Sequence, residues 1–230
     1  MKQVYYAVLL CIPLAACGGT DARQAASKAG AAYQSEALPL ATTLVYDCNG
    51  FDFIARLGPG EMAVWLPDQY VVLSQVRSAS GTTYEEGDIT FWRDGENAML
   101  TIADAQYLNC QLQPQRVPWE DARRRGVAFR AIGNEPGWYI EVRSNHDMLF
   151  VSDFGMQRVV IPSQGEERAG DVRVFQGNSD VHTLRLEILE QRCADTMSGE
   201  VFPNNAVVTF DSIRYQGCGQ FLDYPWQEGP

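Results

Sequence analysis

The sequence predicts an all-β protein, and three observations carry that prediction. Apolar runs of about five residues recur from Thr43 onward, the usual length of a strand. Glycine and proline signals punctuate them, as in Asn49-Gly50, Gly58-Pro59-Gly60, Pro67-Asp68, Ser80-Gly81, Glu86-Gly87 and Asp94-Gly95. One run, Thr183 to Ile188, alternates strictly between polar and apolar, the mark of a strand with a single face in the core. Short strands between close turns build antiparallel barrels or sandwiches rather than parallel α/β sheets.

Along the chain, Lys2 opens a short positive region, and an apolar run follows from Val4 to Ala16. That run is too short to cross a membrane as a helix but fits the core of a secretion signal, here residues 1–16. Leu14-Ala15-Ala16-Cys17 resembles a bacterial lipobox, in which cleavage leaves Cys17 as a lipid-modified N-terminus carrying acyl chains such as palmitate. Gly18 at the second mature position resembles the sorting signal of outer-membrane lipoproteins, so the expected location is the outer membrane, lipid-anchored and facing the periplasm. Residues 17–43, rich in Ala, Gly, Ser, Thr and Gln, read as a flexible tether with a short helical piece near Ala25 to Tyr33.

A first β-region, 44–112, begins with Thr43 to Tyr46 and continues through Phe51 to Ala55, Met62 to Leu66, Tyr70 to Leu73, Ile89 to Trp92 and Ala98 to Ile102. Residues 113–126 break the pattern with Pro114, Pro118 and the run Arg123-Arg124-Arg125. They read as a solvated linker or short helix end, with Trp119 packed against a neighbouring domain. A second β-rich domain, 127–230, holds Trp138 to Val142, Met148 to Val151, Arg158 to Ile161, Val172 to Phe175, Thr183 to Ile188 and Ala206 to Phe210.

The composition is 46% hydrophobic and 11% aromatic over 230 residues, enough for globular cores and incompatible with a disordered tail. Formal net charge is -11, and the only lysines are Lys2 and Lys28. Nucleic acid requires a positive footprint, so a nucleic-acid partner is not expected, whereas this field attracts a basic protein. Cys48, Cys110, Cys193 and Cys218 remain once the signal and lipid-site cysteines are set aside. In an oxidising compartment they allow three pairings. Pairing Cys48 with Cys110 and Cys193 with Cys218 is the most economical, because each bridge then stays inside one domain.

Catalytic patterns are not evident. The sequence contains neither a Walker loop nor Gly-x-Gly-x-x-Gly, and its two histidines, His146 and His182, stand apart in turn-like segments, so no metal or cofactor is expected. Asp195 and Glu200 could be imagined as an acid and base pair. Turn chemistry is the simpler role, with Asp195 capping backbone amides beside Ser198-Gly199. The chain is not expected to be an enzyme.

The segments Tyr46-Asp47-Cys48-Asn49-Gly50, Ser78-Ala79-Ser80-Gly81-Thr82-Thr83-Tyr84, Thr90-Phe91-Trp92-Arg93-Asp94-Gly95-Glu96-Asn97-Ala98 and Leu108-Asn109-Cys110-Gln111-Leu112 stand in an order that resembles the membrane-bound and periplasmic inhibitors of c-type lysozyme. The resemblance implies a small antiparallel β-barrel with Cys48 bridged to Cys110. It also implies that a loop bearing Ser80 and Gly81, propped by Tyr84, enters the active-site cleft of lysozyme. In such inhibitors a basic residue stands where this chain has Asp94, with Arg93 one place earlier, and these two are the expected secondary contacts. The second region resembles a poorly characterised exported bacterial domain, through Gly133-Asn134-Glu135-Pro136-Gly137-Trp138, Cys193-Ala194-Asp195-Thr196-Met197-Ser198-Gly199 and Tyr215-Gln216-Gly217-Cys218-Gly219. The expected function is a lipid-anchored inhibitor of c-type lysozyme. The alternative is a non-inhibitory binding or structural lipoprotein of the envelope.

Overall fold

The computed structural model describes residues 41–222. The signal, the lipid site Cys17, most of the tether and its helical piece lie outside the described residues. Within them the chain is almost entirely strand, arranged as two curled antiparallel sheets and one two-stranded ribbon.

The first sheet contains β1 (Thr42–Asp47), β2 (Asp52–Gly58), β3 (Glu61–Trp65), β4 (Tyr70–Val76), β5 (Thr82–Glu86), β6 (Ile89–Asp94), β7 (Asn97–Ile102), β8 (Ala105–Tyr107) and β9 (Gln111–Leu112). Its spatial order follows the chain from β1 to β8, and β9 returns to pair with β1. The segment from Leu108 to Gln113 thus joins the two edges. Cys110 N–H donates to the Ala98 carbonyl and Gln113 N–H to the Val45 carbonyl, while Cys48 and Cys110 form a disulfide across the junction. Alternation puts Tyr46, Phe53, Met62, Val64, Leu73, Phe91 and Leu100 inside, where Tyr46, Phe53 and Phe91 meet ring to ring. Each such side chain contributes about 1.5 to 3 kcal/mol by leaving water.

The second sheet contains β10 (Val127–Asn134), β11 (Gly137–Arg143), β12 (Asp147–Ser152), β13 (Gln157–Pro162), β14 (Glu166–Ala169), β15 (Val172–Asn178) and β16 (Thr183–Leu189). After the ribbon of β17 (Cys193–Ala194) and β18 (Val201–Phe202) it is completed by β19 (Asn204–Phe210) and β20 (Ile213–Phe221). Here β20 pairs with β10, and the sheet edges β13 and β14 are neighbours in sequence. Phe129, Ile140, Met148, Phe150, Leu186 and Val208 fill its core. The Cys193–Cys218 disulfide ties the ribbon to β20.

The sequence reading lacked several of these strands. Gly217 and Gly219 lie inside one of these, β20. A side chain at Gly217 would meet the Ile132 carbonyl at 2.0 Å, so the glycine is what lets β20 approach β10. The segment read as a linker carries a 3-10 turn, Pro114–Arg116, and a helix, α1 (Val117–Arg124). Pro118 and Glu120 in its first turn and Arg123 and Arg124 in its last suit the helix dipole. Trp119, Ala122, Phe202, Cys218 and Leu222 make a small third core beneath it. Below α1, Glu141 is 1% exposed and is held by Arg125 and Arg130, the latter lying over the Tyr139 ring. Burial lowers the Arg130 pKa, against the opposing pull of Glu141.

Candidate functional site

Residues 77–81, with Ser80 near their end, form the connection between β4 and β5. Ser80 itself is exposed. Its carbonyl accepts two hydrogen bonds, from the Ser78 hydroxyl at 2.6 Å and from the Trp92 indole N–H at 3.1 Å. Those bonds fix the backbone at the tip, while the Ser80 hydroxyl makes no hydrogen bond among the described residues. A hydroxyl left in that state can both donate and accept.

Gly81 has φ +64, in the left-handed region that glycine enters without strain. Space demands glycine as well: a Cβ there would lie 2.3 Å from the Arg93 carbonyl oxygen and 2.9 Å from the Asp94 Cβ. Strand pairing of Thr82 with Arg93 produces this closeness. The structure therefore brings Ser80, Gly81, Arg93 and Asp94 together at one end of the first sheet.

Arg93 and Asp94 point to opposite faces. Arg93 continues the inward row of Ile89 and Phe91, and its guanidinium reaches the Tyr46 hydroxyl. Burial raises the Tyr46 pKa, with Arg93 pulling against that rise and Tyr84 adding to it. Asp94 is exposed at the turn beside the loop. Tyr84 is 5% exposed, paired opposite Phe91 and packed in the core, so it supports the strand leaving the loop rather than presenting a surface. Two contributors carried no role in the sequence reading. Trp92 pins the tip from twelve residues away, a reach that linear spacing does not reveal. Arg77, exposed and without an ion pair among the described residues, stands at the root of the same loop.

In the second sheet, Asp195 does turn chemistry. One carboxylate oxygen accepts the Met197 amide at 3.1 Å, the Ser198 amide at 2.7 Å and the Ser198 hydroxyl at 2.8 Å, and the other accepts from Asn134 at 2.6 Å. Burial pushes its pKa up, but the bonds from Ser198, Asn134 and Met197 prevail and hold it below the usual carboxylate value. His182 is bonded to Asp211 at 3.0 Å. Among the described residues no group of three or more His, Cys, Asp or Glu could hold a metal ion, and no helix is long and apolar enough to cross a membrane.

Residues 46–109 match the family described as membrane-bound lysozyme-inhibitor of c-type lysozyme. The match ends before α1, and the second sheet lies outside it. Neither the search of curated proteins nor that of solved structures gave a match.

Proposed function

We propose that the protein is a lipid-anchored inhibitor of c-type lysozyme, attached through Cys17 to the outer membrane and facing the periplasm. In this reading 44–112 is the inhibitory domain, 113–126 the connection and 127–230 a second domain. The observation that supports it best is the Ser80 tip, whose backbone is pinned while its hydroxyl is unoccupied. The lysozyme cleft holds a catalytic Glu and Asp, and a serine hydroxyl can donate to either carboxylate. Gly81 lets the tip turn, Tyr84 supports it from the core, and Arg93 acts from beneath through Tyr46. The acidic surface steers a basic lysozyme toward the loop.

Asp94 favours a second reading, a binding or structural lipoprotein that does not inhibit, because an exposed carboxylate beside the tip repels the carboxylates of the cleft. Arg77, on the loop itself, is the cation available to offset it. Inhibition of c-type lysozyme by the full chain in detergent separates the two readings. Inhibition at micromolar concentration that falls about ten- to a hundredfold in S80A, with an unchanged melting midpoint, supports the first. No inhibition by the parent protein rejects it in favour of the second, and equal inhibition by S80A removes the loop from the mechanism.

A further inference from the structure

Four turns of the second sheet share one end of it. The pairs Asn134 with Gly137, Ser152 with Gln157, Asn178 with Thr183 and Phe210 with Ile213 close the turns 135–136, 153–156, 179–182 and 211–212. Every neighbouring pair of strands is antiparallel, including β10 with β20, so all four turns fall on the same side. Contacts tie them to one another: the Phe154 ring lies over Gly137, where a Cβ would stand 3.1 Å from it, and Asp211 is bonded to His182 at 3.0 Å and accepts the Thr183 amide at 2.9 Å.

This end carries four of the five most exposed large apolar side chains among the described residues: Met156 at 89%, Phe154 at 88%, Val181 at 78% and Ile213 at 58%. The opposite end, with turns 144–146, 170–171 and 190–192, exposes none and presents Asn145, His146, Asp171, Glu190, Gln191 and Arg192 instead. Local geometry holds the apolar tips outward. Asp153, Phe154 and Gly155 have φ of +50, +55 and +93, a run of left-handed residues that a bulky side chain ordinarily avoids. In the turn 179–182, the Ser179 amide donates to the His182 carbonyl and the His182 ring rests on Phe210, which leaves Val181 at the tip.

We propose that this end of the second sheet dips into the surface of an electrically neutral lipid bilayer, with Phe154, Met156, Val181 and Ile213 as the inserting side chains. Side chains exposed to this degree stand clear of their neighbours. A folded partner would need a separate socket for each, whereas acyl chains fill the space around all of them. The nearness of a bilayer rests on the lipid-anchored reading above: residues 18–40 separate Cys17 from the described chain, a reach of roughly 80 Å when fully extended, so the tips are kept at high local concentration beside the membrane. Exposed Glu135, Asp153 and Asp180 at the same end disfavour anionic headgroups, which is why the surface is a neutral one.

The test uses the full chain reconstituted in phosphatidylcholine vesicles, with an environment-sensitive fluorophore on M156C or, as the control, on D171C at the polar end. The M156C label is expected to shift its emission to the blue and to be quenched severalfold by lipid spin-labelled in its acyl chain, and the D171C label to do neither. Adding F154S and V181S together is expected to remove most of that quenching without lowering the melting midpoint. The mass of the Cys17 peptide reads anchoring separately. A lipidated chain whose M156C label is unquenched overturns insertion and leaves the anchor standing. With an unlipidated chain the anchor falls, and the same label is then read after vesicles are added; absence of quenching there also overturns insertion. Equal quenching of the two labels, or stronger quenching when phosphatidylglycerol is included, overturns the proposal. A blue shift without quenching does so too, and assigns this end to a second copy of the chain.

Discussion

Single residues at the loop tip do unlike jobs, and their substitutions separate accordingly. Ser80 offers a free hydroxyl, whereas Gly81 is fixed by the carbonyl of Arg93 beneath it. Asp94 is the residue whose charge opposes the proposed complex. D94K exchanges repulsion for attraction and is expected to slow dissociation from lysozyme, by an amount corresponding to about 1 to 3 kcal/mol, as read by surface plasmon resonance. Unchanged dissociation would put Asp94 outside the contact. In the second sheet, the Asp195 carboxyl is held below its usual pKa by its hydrogen bonds. A group depressed in the folded state stabilises the protein above its unfolded pKa of about 3.9, and that contribution is lost as pH falls through the folded value. Urea unfolding at successive pH values should show the acid loss reduced in D195N. The serine-glycine pair was legible in the sequence because a motif carries it. Trp92 as its clamp was not, since a side chain reaching back to a carbonyl on another connection leaves no periodic trace.

At the scale of elements, the strands that the sequence revealed are those with one face in a core or with a continuous apolar run. The strands it concealed have physical reasons for doing so. In β5 the core-facing Tyr84 is flanked by Thr83, itself buried, so alternation is lost. In β10 both faces are covered, and Arg130 sits among apolar neighbours because Glu141 pairs with it from β11. Helix α1 is short and charged, and only its packing against Phe202 and the strand faces explains its formation. The disulfide pairing expected on economy was correct for both bridges. Two perturbations of the loop therefore differ in kind. Replacing Cys48 and Cys110 together by Ala releases the junction of the sheet edges and is expected to cost about 2 to 4 kcal/mol, lowering both the melting midpoint and inhibition. W92F removes one hydrogen bond at the tip and is expected to weaken inhibition with little change in the midpoint. A large fall in midpoint for W92F would mean that the indole serves the core rather than the loop.

Taken as a molecule, the described residues form two sheets of the same plan, each a meander whose ends come together. The first closes on very short strands, β8 and β9, and the second exposes on one edge β14, which carries Glu166, Glu167 and Arg168. An edge that is brief or charged is a poor template for an incoming chain. Recognition by strand addition, in which an extended segment of a partner extends a sheet through backbone hydrogen bonds, is thereby disfavoured at β8, β9 and β14. What remains for a partner to meet is the arrangement of connections at the ends of the strands, and such a surface is complementary only to a shape that already exists. The protein is accordingly expected to distinguish a folded enzyme from the same polypeptide unfolded. Reduced, alkylated lysozyme should neither bind to the full chain nor compete with native lysozyme in a pull-down, and competition by the unfolded form would reveal an open edge after all. In the lipid-anchored state proposed above, the same property keeps neighbouring copies from joining through those edges.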